Sequence, residues 1–134
     1  MIALPERADG VVAAGWATVE LDRAARELAH LLAAGAVFGD AASSVILGAR
    51  CRSGPAAVPG LWIALLEPDT EGPLAGTLAR SGEGWAATWT LAGASALRER
   101  SSARAGPFGA ERLLLGGPLS GPYRFLVEAV PSPP

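Results

Sequence analysis

The chain has 134 residues, of which 50% are hydrophobic and 18% are charged, with a formal net charge of −2. A chain this long and this apolar is expected to fold as one globular domain, and its slight negative charge gives no reason to expect a nucleic-acid partner. Its single cysteine, Cys51, excludes an internal disulfide and a cysteine-rich zinc site.

The first elements predicted along the chain are a strand and a helix. Residues 11–21, VVAAGWATVEL, are rich in Val, Trp and Thr, as expected of a strand buried on both faces. Asp22 is the expected N-cap of an amphipathic helix, and Gly35 is its expected stop. The chain therefore opens with a strand followed directly by a helix.

Two strands and a second helix are predicted next. Residues 43–53 and 60–67 favour strands that pair as a hairpin across the loop GPAAVPG. A short helix follows, with Pro73 in its first turn, where a missing N–H does no harm, and with Gly82 as its C-terminal stop. This helix connects the first half of the chain to the second.

The second half repeats this order of elements. A strand over residues 84–93 is followed by a weak helix that Ser95 would cap, and the chain ends in a hairpin of residues 111–116 and 123–130. The predicted order is thus a βαββ(β) unit used twice. The repeat lies in the element order and not in a sequence period.

We expect a cytoplasmic protein with no membrane partner. No stretch of the sequence approaches the ~20 apolar residues that a membrane-spanning helix needs. Glu6 and Arg7 stand where a signal peptide requires apolar residues.

Two segments carry a family resemblance, and they are ALLEPDTEGPLAGTLARSGEGWAATWTL, Ala64 to Leu91, and WATVELDRA, Trp16 to Ala24. Both resemble the vicinal oxygen chelate superfamily, to which glyoxalases and bleomycin-resistance proteins belong. The resemblance implies an α+β fold in which two βαβββ-type modules form a curled mixed sheet around a cavity, with the second module abbreviated. It places one glyoxalase-like domain at 1–134, with modules at about 10–68 and 83–131 and a connecting helix at about 69–82. It also implies a homodimer.

Catalytic members of the superfamily hold a divalent ion with His, Glu or Gln from the first and last strands of each module. The matching positions here are Ala13, Ala64, Ala87 (Ala86 if the register shifts by one) and Leu126. Glu128 lies two residues beyond Leu126 and would share its face of the strand. Because alanine and leucine offer no lone pair, we expect no bound metal and no other cofactor.

Tryptophans accompany these alanines. If the register holds, Trp62, Trp85 and Trp89 line the cavity beside Ala64 and Ala87, which predicts a slot for a planar ligand. Arg124 would meet an anionic end of that ligand or pair diagonally with Glu128. The alternative interpretation is that the tryptophans fill a cavity that is no longer used.

Three functional hypotheses follow. The first is a metal-free protein that binds a small apolar, aromatic or carbonyl-containing molecule for sequestration or sensing. The second is a metal-independent isomerase or lyase in which Glu128, buried in the apolar strand FLVEAV, acts as acid or base. The third is a vestigial structural domain. His30 is expected on the solvated face of the first helix and Cys51 in the core.

Overall fold

A computed structural model describes residues 2–5, 10–69, 71–91, 103–114 and 123–128 of the chain. A 3₁₀ turn, Ala29–Leu31, follows the first helix. The elements in chain order are β1 (Val11–Ala17), α1 (Leu21–Glu27), β2 (Gly39–Ser44), β3 (Ala49–Pro55), β4 (Trp62–Pro68), α2 (Pro73–Ser81), β5 (Gly84–Leu91), β6 (Arg104–Gly106), β7 (Gly109–Leu113) and β8 (Tyr123–Val127). None of the helices in the described ranges is long and apolar enough to span a membrane.

The strands form one mixed sheet in the order β2-β3-β4-β1-β5-β8-β7-β6. In each half the first strand pairs in parallel with the last, β1 with β4 and β5 with β8, while β1 and β5 join the halves in antiparallel. The ends of the sheet approach each other, since the Val45 N–H donates to the Ala105 carbonyl at 3.0 Å. The result is the curled, nearly closed α+β architecture that the resemblance implied. Among the described strands of the second half, β6 is the shortest, with three residues.

Helix α1 is shorter than predicted and is capped by a different residue. The Glu20 carboxylate, not Asp22, caps the helix by accepting from the backbone N–H groups of Asp22 and Arg23 at 3.1 and 2.9 Å. The helix ends at Glu27, well before Gly35. Beyond the 3₁₀ turn, the Ala33 N–H donates to the Pro55 carbonyl at 3.0 Å, so bonding to the strand edge replaces further helix.

The predicted strand over residues 43–53 is in fact two strands. A turn at residues 45–48 separates β2 from β3, and Gly48 adopts a φ of 66°, a conformation that glycine tolerates best. β3 then pairs with β4 as the predicted hairpin. The helix expected after Ser95 lies mostly outside the described residues, and its expected last residues, 104–106, form β6.

Helix α2 and the last hairpin agree with the sequence prediction. α2 begins at Pro73, and the Gly82 N–H closes it on the Leu78 carbonyl at 2.9 Å with Gly82 at a φ of 75°. β7 and β8 pair in antiparallel, as expected for the two ends of the predicted hairpin. The turn between them lies outside the described residues.

The sheet buries a different apolar cluster on each face. On the convex face, α1 packs over residues that include Ile63 and Leu65 of β4. On the interior face, the alternate β4 residues Ala64 and Leu66 join a cluster with residues of both halves. This alternation is the period-two pattern of a strand buried on both faces, the arrangement that the sequence predicted for residues 11–21.

The turn before β5 fastens the connection between β1 and α1. Glu83 Oε2 accepts from Thr18 Oγ1 at 2.8 Å, from the Val19 backbone N–H at 2.8 Å and from Arg23 at 2.6 Å. Burial alone would raise the pKa of Glu83, but these hydrogen bonds outweigh it and lower that pKa. Glu83 therefore anchors this turn to β1 and α1.

We predict that Glu83→Gln destabilises the protein at neutral pH and has a smaller effect in acid. A carboxyl group with a lowered folded-state pKa contributes stability above its ordinary value of 4.5, and that contribution is lost as the pH falls through the folded-state pKa. Urea unfolding at about pH 7 and about pH 3 measures it. Glu27→Gln is the control, because Glu27 makes only an exposed i,i+4 pair with Arg23. An effect of Glu83→Gln that is equal at both pH values would contradict the prediction.

Candidate functional site

Three of the four positions that the resemblance assigns to metal ligands lie together on the interior face of the sheet. Gly15 of β1 is in register with Ala64 on one side and with Ala87 on the other, and Ala13 lies two residues earlier on the same strand. Ala13, Ala64 and Ala87 are all buried in one interior cluster. The groups that meet at these three positions are methyl groups.

The small residues of β1 make room for Trp89. Ala13 is in register with Trp62 on β4 and with Trp89 on β5, so it lies between two indoles. A Cβ added to Gly15 would lie 2.9 Å from the Trp89 ring and 2.8 Å from Leu66 Cδ1. Trp89 itself has no exposed surface. The Trp89 ring thus occupies interior space that side chains larger than those of Ala13 and Gly15 would fill.

Trp89 is the centre of an aromatic cluster. Its ring stacks on Phe125 of β8 with centroids 5.5 Å apart, and it meets Phe108 edge-on at 5.1 Å. Phe108 also meets Trp62 edge-on at 6.3 Å. Phe108 and Phe125 are buried, whereas Trp62 is half-buried. Trp62 is therefore the member of this cluster that reaches solvent.

Trp85 does not join this cluster, because β5 contains a β-bulge. The register with β1 steps from Ala87 opposite Gly15 to Trp85 opposite Trp16, which leaves Ala86 as an extra residue. Ala86 and Ala87 both pack in the interior, and Trp85 turns to the convex face. There it meets Trp16 edge-on at 5.2 Å and donates to the Ala3 carbonyl at 2.9 Å. Trp62, Trp85 and Trp89 were expected on one interior face, but only Trp62 and Trp89 lie there.

The last strand presents a different face from the one expected. Phe125 and Val127 of β8 point into the interior cluster, so Leu126 and Arg124 alternate away from it. Arg124 is exposed, and so is Glu128, which follows the strand. The burial of Glu128 on which its proposed acid–base role depended is not found. β8 pairs in parallel with β5, and Phe125 lies beside Trp89 in this pairing. The pairing therefore decides which alternate residues of β8 face the interior.

A different carboxyl group, that of Glu111 on β7, lies in the interior. Its side chain has no exposed surface. Oε1 accepts from Trp89 Nε1–H at 2.9 Å, and Oε2 is bonded to Ser44 Oγ at 2.7 Å. Ser44 Oγ also accepts from the Leu47 backbone N–H at 3.3 Å. In the sequence, Glu111 was predicted only as part of a strand, and the one available signal for it was an acid that precedes Arg112 and the apolar run LLL.

Burial governs the ionisation of the two interior acids. Burial raises the pKa of Glu111, and the hydrogen bonds from Trp89 and Ser44 offset only part of that rise. Burial also raises the pKa of the Cys51 thiol, to about 12, with a smaller contribution from Glu111. A thiol this weakly acidic is not a nucleophile at neutral pH, in agreement with the core position expected for Cys51.

Solved structures with this architecture include two epimerases and a protein of undefined activity. Methylmalonyl-CoA epimerase from Mycobacterium tuberculosis has a TM-score of 0.68 at 23% identity, covering 91% of this chain and 89% of that protein. The Streptomyces coelicolor epimerase, solved in complex with 2-nitronate-propionyl-CoA, has a TM-score of 0.63 at 20% identity, covering 87% and 94%. A hypothetical protein from Bacillus halodurans has a TM-score of 0.66 at 17% identity, covering 92% and 96%.

The chain has the vicinal oxygen chelate fold. No protein-family model matches the sequence, and no curated protein matches it significantly. At identities of 17–23% the likeness establishes the fold alone, so any chemistry has to be argued from the residues of the site.

The described residues of this vicinal oxygen chelate fold do not fit a divalent ion. Within the ranges that the structure describes, no three His, Cys, Asp or Glu side chains come together as a possible ligand group. In the interior, Glu111 is bonded to neutral partners. His30 is exposed on the convex side, where its Nε2 lies 2.6 Å from the Ile2 carbonyl oxygen. We therefore derive no step through a metal.

A shallow apolar groove of about 260 Å³ lies on the convex side of the same fold. Arg26, Leu32 and Phe38 are among its lining residues. None of the site residues expected from the sequence lines it, and it lies across the sheet from the aromatic cluster.

Proposed function

We propose that this chain binds a small apolar molecule, aromatic or carbonyl-containing, without a metal ion, and that it acts by sequestration or sensing. The observation that carries the proposal is the half-buried Trp62 at the edge of an otherwise buried aromatic cluster. A flat ring that is anchored on one side and reaches solvent on another is a stacking surface for a planar ligand.

The neighbours of Trp62 support a ligand at this position. Ala13 is its register partner on β1, and Ala64 follows it on the same face of β4, so methyl groups border the indole along both strands. Phe108 holds the indole edge-on. An added aromatic contact is worth about 1 kcal/mol beyond the area that it buries. Trp89, Ala87 and the other buried members form the floor behind this position.

The ligand class is bounded by the apolar surroundings and by the fold. Planar aromatic compounds suit the indole of Trp62. Because the Streptomyces epimerase was solved with 2-nitronate-propionyl-CoA, propionyl-CoA belongs in the same ligand panel. The exposed Arg124 is not in the interior cluster, so we do not assign it to an anionic end of the ligand.

Tryptophan fluorescence, titrated with this panel, tests the proposal. We expect saturable quenching by at least one compound, and Trp62→Ala should weaken its binding about tenfold through the loss of stacking and buried area. Trp85→Ala is the matched control, because Trp85 is also half-buried but lies on the opposite face. Equal loss in both variants, or no loss in Trp62→Ala, would contradict the proposal, as would tight stoichiometric binding of Ni²⁺, Mn²⁺ or Zn²⁺.

A metal-independent isomerase or lyase is the second candidate, and it needs a carboxyl group in the interior. Glu128 does not meet that need because it is exposed, whereas Glu111 is buried with a raised pKa. Turnover of a bound acyl-CoA that Glu111→Gln abolishes without changing the dissociation constant would favour the enzyme. A protein that neither binds nor converts any compound of the panel would be the structural domain of the third hypothesis.

Oligomeric state and location belong to the same proposal. The homodimer implied by the resemblance predicts twice the chain mass in analytical ultracentrifugation. Within one chain, β1 and β5 already pair, so a dimer would join surfaces other than these two strands. A cytoplasmic location is the setting we propose for a sequestering protein of this kind.

A further inference from the structure

The two ends of the sheet meet at a seam between β2 and the β6–β7 hairpin. β2 and β6 are the terminal strands of the sheet order and are not paired as a ladder. Among the described residues, two hydrogen bonds cross the seam. One joins the Val45 N–H to the Ala105 carbonyl at 3.0 Å, and the other joins Ser44 Oγ to Glu111 Oε2 at 2.7 Å. The Glu111 side chain is therefore a large part of what holds this seam closed.

The surroundings of Glu111 suit a neutral carboxylic acid. It has no exposed surface, and its partners, Trp89 Nε1–H and Ser44 Oγ, carry no charge. A neutral acid can donate its O–H to Ser44 Oγ while its other oxygen accepts from Trp89. Within the ranges that the structure describes, no cation pairs with this side chain, so a carboxylate in the same place would be a buried charge bonded to neutral groups only. Gly106 of β6 packs against this carboxyl group and leaves no room for water on that side.

We propose that Glu111 is a proton-controlled latch, which as a neutral acid holds the seam closed and on ionising loosens it. The charged form draws water, and Ser44 is the partner through which the side chain reaches the seam. Opening there frees the Val45 N–H from Ala105 and exposes the interior side of Trp89. The raised pKa of Glu111 has the direction that this device requires.

The other groups that face Glu111 do not control the latch. Cys51 of β3 is the titratable neighbour, and with its pKa near 12 it stays neutral over the range tested. Asp69, which follows β4, is exposed and acts on Cys51 rather than on Glu111. β5 contributes Trp89, β2 contributes Ser44 and β6 contributes Gly106, none of which titrates. Arg104 of β6 is in register with Glu111 but is exposed, and Arg112 follows Glu111 on the alternate face of β7. Among the described residues, neither arginine forms an ion pair with Glu111.

Urea unfolding of the wild type and of Glu111→Gln, from about pH 5 to about pH 9, tests the latch. Glutamine keeps the shape and both hydrogen bonds but cannot ionise. A group with a raised folded-state pKa loses its stabilising effect as the pH rises from its ordinary value of 4.5 to the folded-state pKa. The folding constant of the wild type should therefore fall relative to the variant, by up to about tenfold per pH unit in that window. Because all other titrating groups are the same in both proteins, their contributions cancel in the ratio of the two folding constants.

A second measurement reads the seam directly. Hydrogen exchange of the Val45 amide should lose protection with rising pH in the wild type but not in Glu111→Gln, after correction for the intrinsic rate. Infrared spectra of both proteins should differ in one band. The wild type should show a protonated carboxyl band at pH values above those at which an ordinary glutamate ionises, and Glu111→Gln should lack this band. A pH-independent folding-constant ratio, or ionised Glu111 at about pH 5, would overturn the proposal. The latch concerns the free protein, so its failure would leave the proposed ligand site untouched.

Discussion

Trp89→Ala is expected to lower the free energy of unfolding by about 3–5 kcal/mol, the range for removing a large buried aromatic side chain. Trp89 has no exposed surface, and it stacks on Phe125 and meets Phe108 edge-on. Its replacement leaves a cavity between the two halves of the sheet. It also removes the Nε1–H donor from the buried Glu111. The cost thus combines lost packing with an unsatisfied polar atom.

Urea unfolding with two comparison variants separates these contributions. Trp89→Phe keeps much of the ring packing and removes the donor, so it should cost less than the alanine variant, about 1–3 kcal/mol. Trp85→Ala should also cost less, because Trp85 is half-buried on the convex face. If Trp89→Ala cost no more than Trp85→Ala, the central position of Trp89 in the core would be wrong.

Gly106→Ala is expected to destabilise the protein by about 3 kcal/mol, although it adds only one methyl group to a strand. A Cβ at Gly106 would collide with the Glu111 carboxyl group. That carboxyl group cannot swing aside without breaking its bonds to Trp89 and Ser44. The methyl group therefore costs both overpacking and a disrupted hydrogen-bond network.

A double-mutant cycle identifies the cause. Combined with Glu111→Ala, which removes the colliding group, Gly106→Ala should cost much less than it does alone, with a coupling energy of about 2 kcal/mol. Gly39→Ala is the matched control, because Gly39 is also a strand glycine but has open space at its Cβ position. It should change stability by less than about 0.5 kcal/mol. Additive effects in the cycle would contradict the contact between Gly106 and Glu111.

The sequence predicted several elements correctly because such predictions rest on local patterns, whereas the fold class followed from the resemblance to the superfamily. The strand over 11–21, the helix between Pro73 and Gly82 and the final hairpin follow from apolar runs and turn residues, and each is present, with β1 ending at Ala17. The alanines Ala13, Ala64 and Ala87 were also placed together on one face. The boundaries of α1 and of β2 were missed because bonds to distant strands, such as that of Ala33 to Pro55, end one element and begin another.

The candidate site depended more on tertiary structure. Strand alternation assigned Trp85 to the interior, but the bulge at Ala86 reverses its face, and a bulge depends on pairing with β1 that no local pattern specifies. Strand alternation also failed to predict which residues of β8 face the interior. Pairing with β5 turns Phe125 inward and leaves Glu128 exposed. A single residue of register decides which side chains meet.

The sequence alone thus indicated an order of strands and helices that is used twice, with alanines at three of the positions that the resemblance assigns to metal ligands. The tertiary structure decided which carboxyl group is buried. Glu111 and Glu128 both flank apolar runs and look alike in the sequence, but closure of the sheet brings Ser44, Trp89 and Gly106 around Glu111 only. Ser44 and Trp89 are 67 and 22 residues from Glu111 in the chain, and Gly106 is 5 residues from it. Distant partners such as Ser44 and Trp89 decide whether a charged residue type is buried, and local periodicity carries no information about them.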